Sequence, residues 1–273
     1  MDWSRAKTIL IVLLFAVNIF LLGTYIIREN DERKEMEELR ESTCEVLANA
    51  GISIKSEIVP LDSVKIKPAT VRTNRNQEKI ARALFGEVEE KSDMSETVYS
   101  GNGGNIMFRK DSFSFVYSSG KEINSNEDAK NLAYEIAKKL TLRTSLDDLI
   151  VYSTNGGFTV KIPQFSGNAC VFDADIELNI SSSGNVLGNG LFIANGSLGA
   201  ANGEIMNISA MLFEFADEMK AMGKGTLNIV SMECGYCSKN YSDDAAYLTP
   251  AIKFITDSGI FYMSMSDAGL IKI

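Results

Sequence analysis

The segment Thr8–Ile27 reads TILIVLLFAVNIFLLGTYII and decides the architecture of the chain. Its 20 residues carry no charge. At a rise of about 1.5 Å per residue, a helix of this length spans roughly 30 Å, the thickness of a hydrocarbon core. Trp3 and Tyr25 lie near its two ends, where amphipathic aromatic side chains favour the membrane interface. The segment therefore predicts a helix that crosses a membrane once.

The alternative interpretation of this segment is a cleaved signal peptide. The apolar core of a signal peptide is about 7–15 residues long and ends in a small-x-small cleavage site. Here the apolar run is longer, and it ends in Tyr25-Ile26-Ile27-Arg28. We therefore predict an uncleaved anchor, with residues 1–7 as an N-terminal flank and residues 8–27 as the transmembrane helix.

The positive-inside rule does not decide the orientation of the anchor. Arg5 and Lys7 precede it, and basic residues interleaved with acids follow it: Arg28, Arg33, Lys34 and Arg40. Acidic residues have little weight in this rule, and both flanks carry basic residues, so the count of basic residues does not show which flank is cytoplasmic. A short N-terminal flank before a large polar domain is compatible with a cytoplasmic N-terminus and an extracytoplasmic domain.

Asn18 is the strongly polar residue at the middle of the span. An amide in hydrocarbon is costly unless it is hydrogen-bonded, and a bond across two helices is worth about 0.6–2 kcal/mol. Its helical face also carries, at spacings of three, four and seven, Ile11, Leu14, Phe15, Leu21, Leu22 and Tyr25. Either this face contacts another membrane protein or a second copy, or the amide bonds its own backbone.

Residues 28–50 predict a helical stalk that continues out of the membrane. They read RENDERKEMEELRESTCEVLANA, which is rich in helix formers, and Gly51 follows as a helix terminator. A weak stripe recurs at steps of three and four: Met36, Leu39, Thr43, Val46 and Ala50. This stripe indicates either a coiled coil or a helix that packs on the following domain.

The rest of the chain predicts an α+β fold built from repeated modules. After a strand at Ile52–Pro60, a helix followed by antiparallel strands occurs three times, in residues 51–124, 125–202 and 203–273. The predicted helices are Asn76–Phe85, Asn126–Leu140 with Ser125 as N-cap, and Ile208–Met222. The last hairpin of each module is predicted to turn at Ser118-Ser119-Gly120, Ser182-Ser183-Gly184 and Asp267-Ala268-Gly269.

Composition excludes several classes of function. The 273-residue chain has a formal charge of -9, which disfavours nucleic-acid binding. It contains 0 His, so Ser-His-Asp and Cys-His triads and His-ligated metals are excluded. The 45% hydrophobic content belongs in part to the anchor, so the outer domain is more polar than this average indicates. We expect neither an enzyme nor a cofactor or metal.

The segment Cys234-Gly-Tyr-Cys237 allows several interpretations. Zinc would need four ligands, and neither His nor a second CxxC accompanies it. A redox pair places its attacking thiol at a helix N-terminus, whereas here a β-rich run precedes the motif and a polar loop is predicted after it. A loop disulfide or inert thiols remain. The acidic pairs Asp173/Asp175 and Asp243-Asp244 indicate a solvated surface rather than a catalytic or metal site.

Several segments together resemble the YycI family of membrane-anchored regulators, which act on the WalK/WalR two-component system of Gram-positive bacteria. They are the start MDWSRAKTI (1–9), the run VNIFL (17–21), the stalk end Asn49–Ile52, the segment YLTPAIKF (247–254) and the closing hairpin FYMSMSDAG (261–269). Ala251-Ile252 stands where the family has Val-Trp.

The resemblance implies a function and a set of partners. It implies a protein without enzymatic activity, with a cytoplasmic N-terminus, an extracytoplasmic domain and modules similar to YycH and PepSY domains. It implies helix-to-helix contact with a YycH-like regulator and with the sensor histidine kinase, WalK (YycG). Two alternatives stay open: an extracytoplasmic thiol–disulfide protein that uses Cys234 and Cys237, and a PepSY-like module that binds or inhibits a cell-wall enzyme.

Overall fold

The computed structural model describes residues 3–60, 66–72, 76–109, 112–193, 197–200, 207–241 and 245–271. The helices are α1 (Trp3–Asn49), α2 (Gln77–Phe85), α3 (Asn126–Lys139), α4 (Ile208–Ala221) and a 3-10 helix at Ser56–Ile58. The strands are β1 (Ile52–Ile54), β2 (Ala69–Arg72), β3 (Val88–Ser92), β4 (Glu96–Gly101), β5 (Gly104–Arg109), β6 (Phe113–Ser118), β7 (Ile150–Thr154), β8 (Gly157–Ser166), β9 (Ala169–Ser181), β10 (Asn185–Gly190), β11 (Ser197–Ala200), β12 (Leu227–Tyr241), β13 (Ala245–Thr256), β14 (Gly259–Ser264) and β15 (Leu270–Ile271).

The described residues divide into two compact units. Unit 1 falls within Met1–Ser63, Ile208–Val230 and Thr256–Ser258, and unit 2 falls within Val64–Asn207, Ser231–Ile255 and Gly259–Ile273. The helix of the third predicted module, α4, belongs to unit 1, whereas β13 and β14 belong almost entirely to unit 2. The modules predicted over residues 51–124, 125–202 and 203–273 stay a prediction, and the two compact units divide the chain at other positions.

Unit 1 is built on one long helix. The 47 residues of α1 run without a break from the apolar segment into the stalk, over about 70 Å. The helix ends just before Gly51, which has a φ of +89°. Glycine adopts this positive φ without a steric cost because it has no Cβ atom. α1 is long and apolar enough to cross a membrane, which supports the predicted anchor. Beyond Gly51, β1 pairs in parallel with the start of β12, with Ile52 opposite Leu227.

The outer end of α1 packs on α4, but not through the whole predicted stripe. Thr43 is 2% exposed, and its hydroxyl lies 3.2 Å from the hydroxyl of Ser209. Leu47 is fully buried, whereas Met36, Leu39 and Val46 are 39%, 52% and 51% exposed. The prediction that the stripe packs on the following domain is therefore correct for Thr43 only. The next buried residue of the helix is Leu47, which lies one turn after Thr43 and does not belong to the predicted stripe.

Unit 2 contains a mixed sheet with α2 and α3 against one of its faces. Its strand order is β11-β2-β13-β12-β9-β10-β6-β5-β4-β3. In addition, β8 pairs with β9 and β7 with β8, whereas β14 pairs with β13 and β15 with β14. Strand β9 buries alternate residues, among them Ile176, Leu178 and Ile180, in one core with α2 and α3. Stacked rings of Phe113 and Phe192, with centroids 4.1 Å apart, add to that core. The predicted α+β class is confirmed.

Side-chain caps begin two of the helices, and only the cap at Ser125 was predicted. The hydroxyl of Ser125 accepts the backbone N–H of Asp128 at 3.1 Å, as its predicted role as N-cap of α3 requires. The side chain of Asn76 likewise accepts the N–H of Lys79 at 2.9 Å, so this residue precedes α2 instead of opening it. Local side-chain chemistry therefore fixes where these helices begin.

The predicted hairpin at Ser118-Ser119-Gly120 is wrong. Strand β6 leads into α3 and pairs instead with the distant β10, where Val116 lies opposite Leu187. The backbone N–H and the hydroxyl of Ser119 both donate to Gly184 O, at 3.0 and 2.9 Å. The two Ser-Ser-Gly turns therefore lie side by side, and only the second one, between β9 and β10, closes a hairpin between consecutive strands.

Two further expectations need correction. The strand predicted at Ile52–Pro60 stops at Ile54, because β1 has a partner for only three residues, and a 3-10 helix follows. The polar loop predicted after Cys237 is part of β12, which runs to Tyr241 between β13 and β9. The turn predicted at Asp267-Ala268-Gly269 is present between the paired strands β14 and β15, and Ala268 takes the left-handed conformation there, with φ +53°.

Candidate functional site

The predicted contact face of α1 is exposed along its whole length. The exposed fractions of its apolar members run from 53% for Leu14 to 67% for Phe15. The other members are Ile11, Leu21, Leu22 and Tyr25. The described residues of unit 1 do not cover this face, so it is available to lipid or to another helix.

The amide of Asn18 is only partly satisfied within α1. Its Nδ2 donates to the backbone carbonyl of Leu14 at 2.9 Å, one turn earlier. This is the local bond that one of the two sequence interpretations required. The Oδ1 atom accepts no hydrogen bond from the described residues, and the second N–H of the amide also has no partner among them. In hydrocarbon, these groups favour a polar partner on a neighbouring helix.

The Cys234-Gly-Tyr-Cys237 motif lies inside a strand. Residues three apart in β12 point to opposite faces, and their Cα atoms are about 10 Å apart in extended backbone. A disulfide needs Cα atoms within about 7 Å, so this backbone does not suit a bond between the two cysteines. Burial raises the pKa of Cys234 to about 11, so its thiolate is scarce at neutral pH.

A cluster that the sequence did not reveal surrounds Cys237 in unit 2. Tyr236 of β12 lies opposite Val171 of β9 in a parallel pair, which brings Cys237 beside Phe172. Cys237, Phe172 and Ala251 form a small buried core, and Cys170, Tyr262 and Ile271 pack against it. The centroids of the Phe172 and Tyr262 rings are 5.5 Å apart. We call these six residues the thiol–tyrosine cluster.

Burial is the main reason that the Cys170 thiol and the Tyr262 hydroxyl of the thiol–tyrosine cluster stay protonated, because it raises the pKa of both groups. The ammonium of Lys253 pairs with Glu233 at 3.0 Å and lies 5.8 Å from the centroid of the Phe172 ring. Burial and then the carboxylate of Asp175 raise the pKa of Cys170 to about 12 and that of Tyr262 to about 12. Neither group is therefore an efficient nucleophile or base near neutral pH. The alternation of apolar and polar residues along β9 and β12 could have indicated which side chains are buried. Only the pairing of the two strands shows that Cys237 and Phe172 meet.

The acidic pair Asp173/Asp175 is half-buried, and its two carboxyl groups have different surroundings. The carboxylate of Asp173 accepts the N–H of Ser238 at 2.9 and 3.0 Å and also accepts its hydroxyl, which joins β9 to β12. Burial raises the pKa of Asp175, and the nearby Lys161 and Lys253 oppose this shift. The described residues form no cluster of three or more metal-ligating side chains. The other predicted pair, Asp243-Asp244, lies outside the described residues.

The sheet of unit 2 carries a shallow groove. Its volume is about 360 Å³, and the ends of β7–β10 line it. Val116 and Leu187, 47% and 50% exposed, form an apolar pair at its side, and Asn155, Asn179 and Asn185 supply amides. The groove is open and mixed in polarity, which suits a contact surface better than an enclosed catalytic pocket.

Comparison with known proteins gives a fold likeness and no family. No family model and no curated protein matches the chain. The crystal structure of an uncharacterized protein from Eubacterium rectale matches with a TM-score of 0.50 and 13% identity, over 76% of this chain and 86% of that one. The C-terminal domain of YpeB from Bacillus megaterium gives a TM-score of 0.38 and 8% identity, over 74% and 97%. The first likeness concerns the fold alone, and the second is too low to add to it.

Proposed function

We propose that this protein is a non-enzymatic, membrane-anchored regulator of a sensor histidine kinase of the WalK (YycG) type. In this proposal the N-terminus is cytoplasmic, α1 crosses the membrane, and both the outer part of unit 1 and unit 2 are extracytoplasmic. The partners are the kinase and a YycH-like regulator, as the sequence resemblance to the YycI family implies. The finer interpretation of the α+β fold as PepSY-like and YycH-like modules belongs to the same proposal.

The observation that carries the proposal is the amide of Asn18 on an exposed apolar helix face. One N–H of the amide bonds Leu14, and the rest of the amide has no partner among the described residues. A single anchor needs no such residue, because leucine serves as well in lipid. A helix that must recognise another helix gains from it, because a polar group in hydrocarbon favours one register and one partner.

The energy of such a contact limits what the protein can do. A bond across helices in a membrane is worth about 1 kcal/mol, and a ligand shifts a two-state kinase only by its differential affinity for the two states. A shift of this size changes the ratio of the two states roughly fivefold. The protein is therefore a modulator that biases the kinase rather than a complete switch.

Exchange of the anchor tests the proposal. Residues 8–27 are replaced by an unrelated membrane helix in the otherwise intact chain, and kinase output is measured with a reporter gene. We expect regulation to be lost while the amount of protein in the membrane is unchanged. Asn18→Leu is expected to weaken co-purification with the kinase. Full regulation with the unrelated anchor would exclude a role for the helix.

A second function has support from the groove of unit 2, namely a module that binds or inhibits a cell-wall enzyme. The apolar pair Val116 and Leu187 offers a surface for such a partner. Co-purification of a cell-wall hydrolase, lost in a Leu187→Lys variant, would favour this function. Co-purification of the kinase alone, unaffected by that variant, would favour the first. The thiol–disulfide alternative lacks comparable support, because the pKa of Cys234 is raised and its strand does not suit a disulfide.

A further inference from the structure

The helical face of Asn18 continues from the membrane segment into the stalk. In alternating steps of four and three, one seam runs through Ile11, Phe15, Asn18, Leu22, Tyr25, Glu29, Glu32, Met36 and Leu39. Because α1 is unbroken over Trp3–Asn49, residues at this spacing form one continuous stripe, which drifts around a straight helix by about 20° per heptad and which a partner helix can follow by supercoiling. The seam is closed at Thr43, which is 2% exposed and bonds Ser209. A partner helix therefore has access up to Leu39.

Two glutamates interrupt this apolar seam just beyond the predicted span. Glu29 and Glu32 are exposed, and Met36 and Leu39 restore the apolar character in the next heptad. Glu32 pairs with Arg28 at 2.7 Å, but the two side chains are 61% and 81% exposed. Such a surface pair contributes little and leaves the glutamate accessible to a second cation. The seam thus changes from apolar to acidic and back to apolar.

A second copy of the chain does not fit this seam well. In a parallel pair, Glu29 and Glu32 would each face their own counterpart at the central positions of a coiled coil. Arg28 and Arg33 would meet across the flanking positions, so these two side chains would also repel each other. Juxtaposed like charges are a common means of excluding a partner. The effective dielectric constant also falls near the membrane, which strengthens this repulsion.

We propose that α1 pairs along this seam with a helix of a different membrane protein that carries Lys or Arg in its first heptad outside the membrane. The inference rests on the proposed function and adds the chemistry that the partner must have. Basic side chains opposite Glu29 and Glu32 would form ion pairs between two apolar layers. The acidic heptad then supplies selectivity, and the Asn18 layer fixes the register.

Two synthetic membrane helices test this inference on the full chain in phosphatidylcholine vesicles. Both have a leucine-rich span and two heptads outside it, with Lys at the central positions of the first heptad in one probe and Glu in the other. Energy transfer from a labelled full chain measures binding. We expect the Lys probe to bind about tenfold more tightly at low salt, with a smaller difference at about 0.5 M salt.

Charge reversal on the seam and away from it provides the matched control. The double variant with Glu29→Lys and Glu32→Lys is expected to prefer the Glu probe. The variant with Asp31→Lys and Glu38→Lys, which changes net charge equally on the opposite side of the helix, should keep the preference for the Lys probe. Equal binding of the two probes, equal effects of the two variants, or self-association tighter than either probe would overturn the inference. Since the kinase takes no part in this experiment, such a failure leaves the result of the anchor exchange standing.

Discussion

Two side-chain amides, that of Asn18 in α1 and that of Gln164 in the sheet of unit 2, differ in how many of their hydrogen bonds are made within the chain. In β8, Gln164 is 3% exposed, donates to Ala174 O and Leu191 O at 2.5 and 2.6 Å, and accepts the N–H of Ile193 at 2.9 Å. In α1, Asn18 makes one bond, to the turn before it. The amide of Gln164 makes three hydrogen bonds to its own chain and stabilises the fold, whereas that of Asn18 keeps an acceptor and a donor without a partner among the described residues.

Replacement of Gln164 gives the largest expected effect on stability. Gln164→Leu removes three hydrogen bonds between the buried amide and the backbone, which costs about 4 kcal/mol at roughly 1–3 kcal/mol per bond. The free energy of unfolding, from urea denaturation of the full chain in micelles followed by circular dichroism, measures the loss. As a control, Asn105→Ala, at an exposed position of β5, should change it by less than about 0.5 kcal/mol. A loss below 1 kcal/mol for Gln164→Leu would mean that water replaces the side chain.

The two sides of the stalk are expected to respond differently to truncation. Leu47 is fully buried in unit 1, so Leu47→Ala should lower the free energy of unfolding by about 3 kcal/mol through lost burial and a cavity. Val46→Ala, at the 51% exposed neighbour, should cost less than about 0.5 kcal/mol. Urea denaturation measures both. Similar losses at the two positions would show that the stalk is covered on both sides.

Replacement of Asn18 should affect association and leave stability unchanged. Asn18→Leu removes a polar contact of about 1 kcal/mol, so affinity for the kinase should fall roughly fivefold. Energy transfer between the labelled full chain and the kinase in nanodiscs measures this change. Phe20→Leu, on the opposite side of the helix, is the matched control. An unchanged affinity for Asn18→Leu would mean that the amide serves only its own backbone.

The smallest expected effect is a pH dependence at Asp175. Because burial raises the pKa of this carboxyl above its unfolded value, the folded state favours the protonated form. Its contribution to stability is therefore greatest below the unfolded pKa and is lost as pH rises through the folded pKa. Asp175→Asn should raise stability slightly at neutral pH and flatten the dependence between those two values. Thermal denaturation from pH 3 to pH 7 measures both, and a steeper dependence in the variant would contradict this sign.

The sequence predicted features with a local cause and missed those that depend on distant partners. The apolar run of α1, the cap at Ser125 and the stop at Gly51 follow from neighbouring residues. The pairing of β6 with β10 and the extension of β12 through Ser238–Tyr241 depend on strands far along the chain, which override the local polar pattern. For the same reason, the face of Asn18 could be predicted from helical spacing, whereas the meeting of Cys237 with Phe172 and Tyr262 could not.

Crosslinking from two sides of α1 is the most direct test of the central claim. A photoreactive residue is placed in the full chain at Leu22, beside Asn18, or at Phe20, on the opposite side, and native membranes are irradiated. The account predicts a crosslink to the sensor kinase from Leu22 and at most a trace from Phe20. Equal crosslinking from both positions, or a crosslink to the kinase from neither, would contradict it.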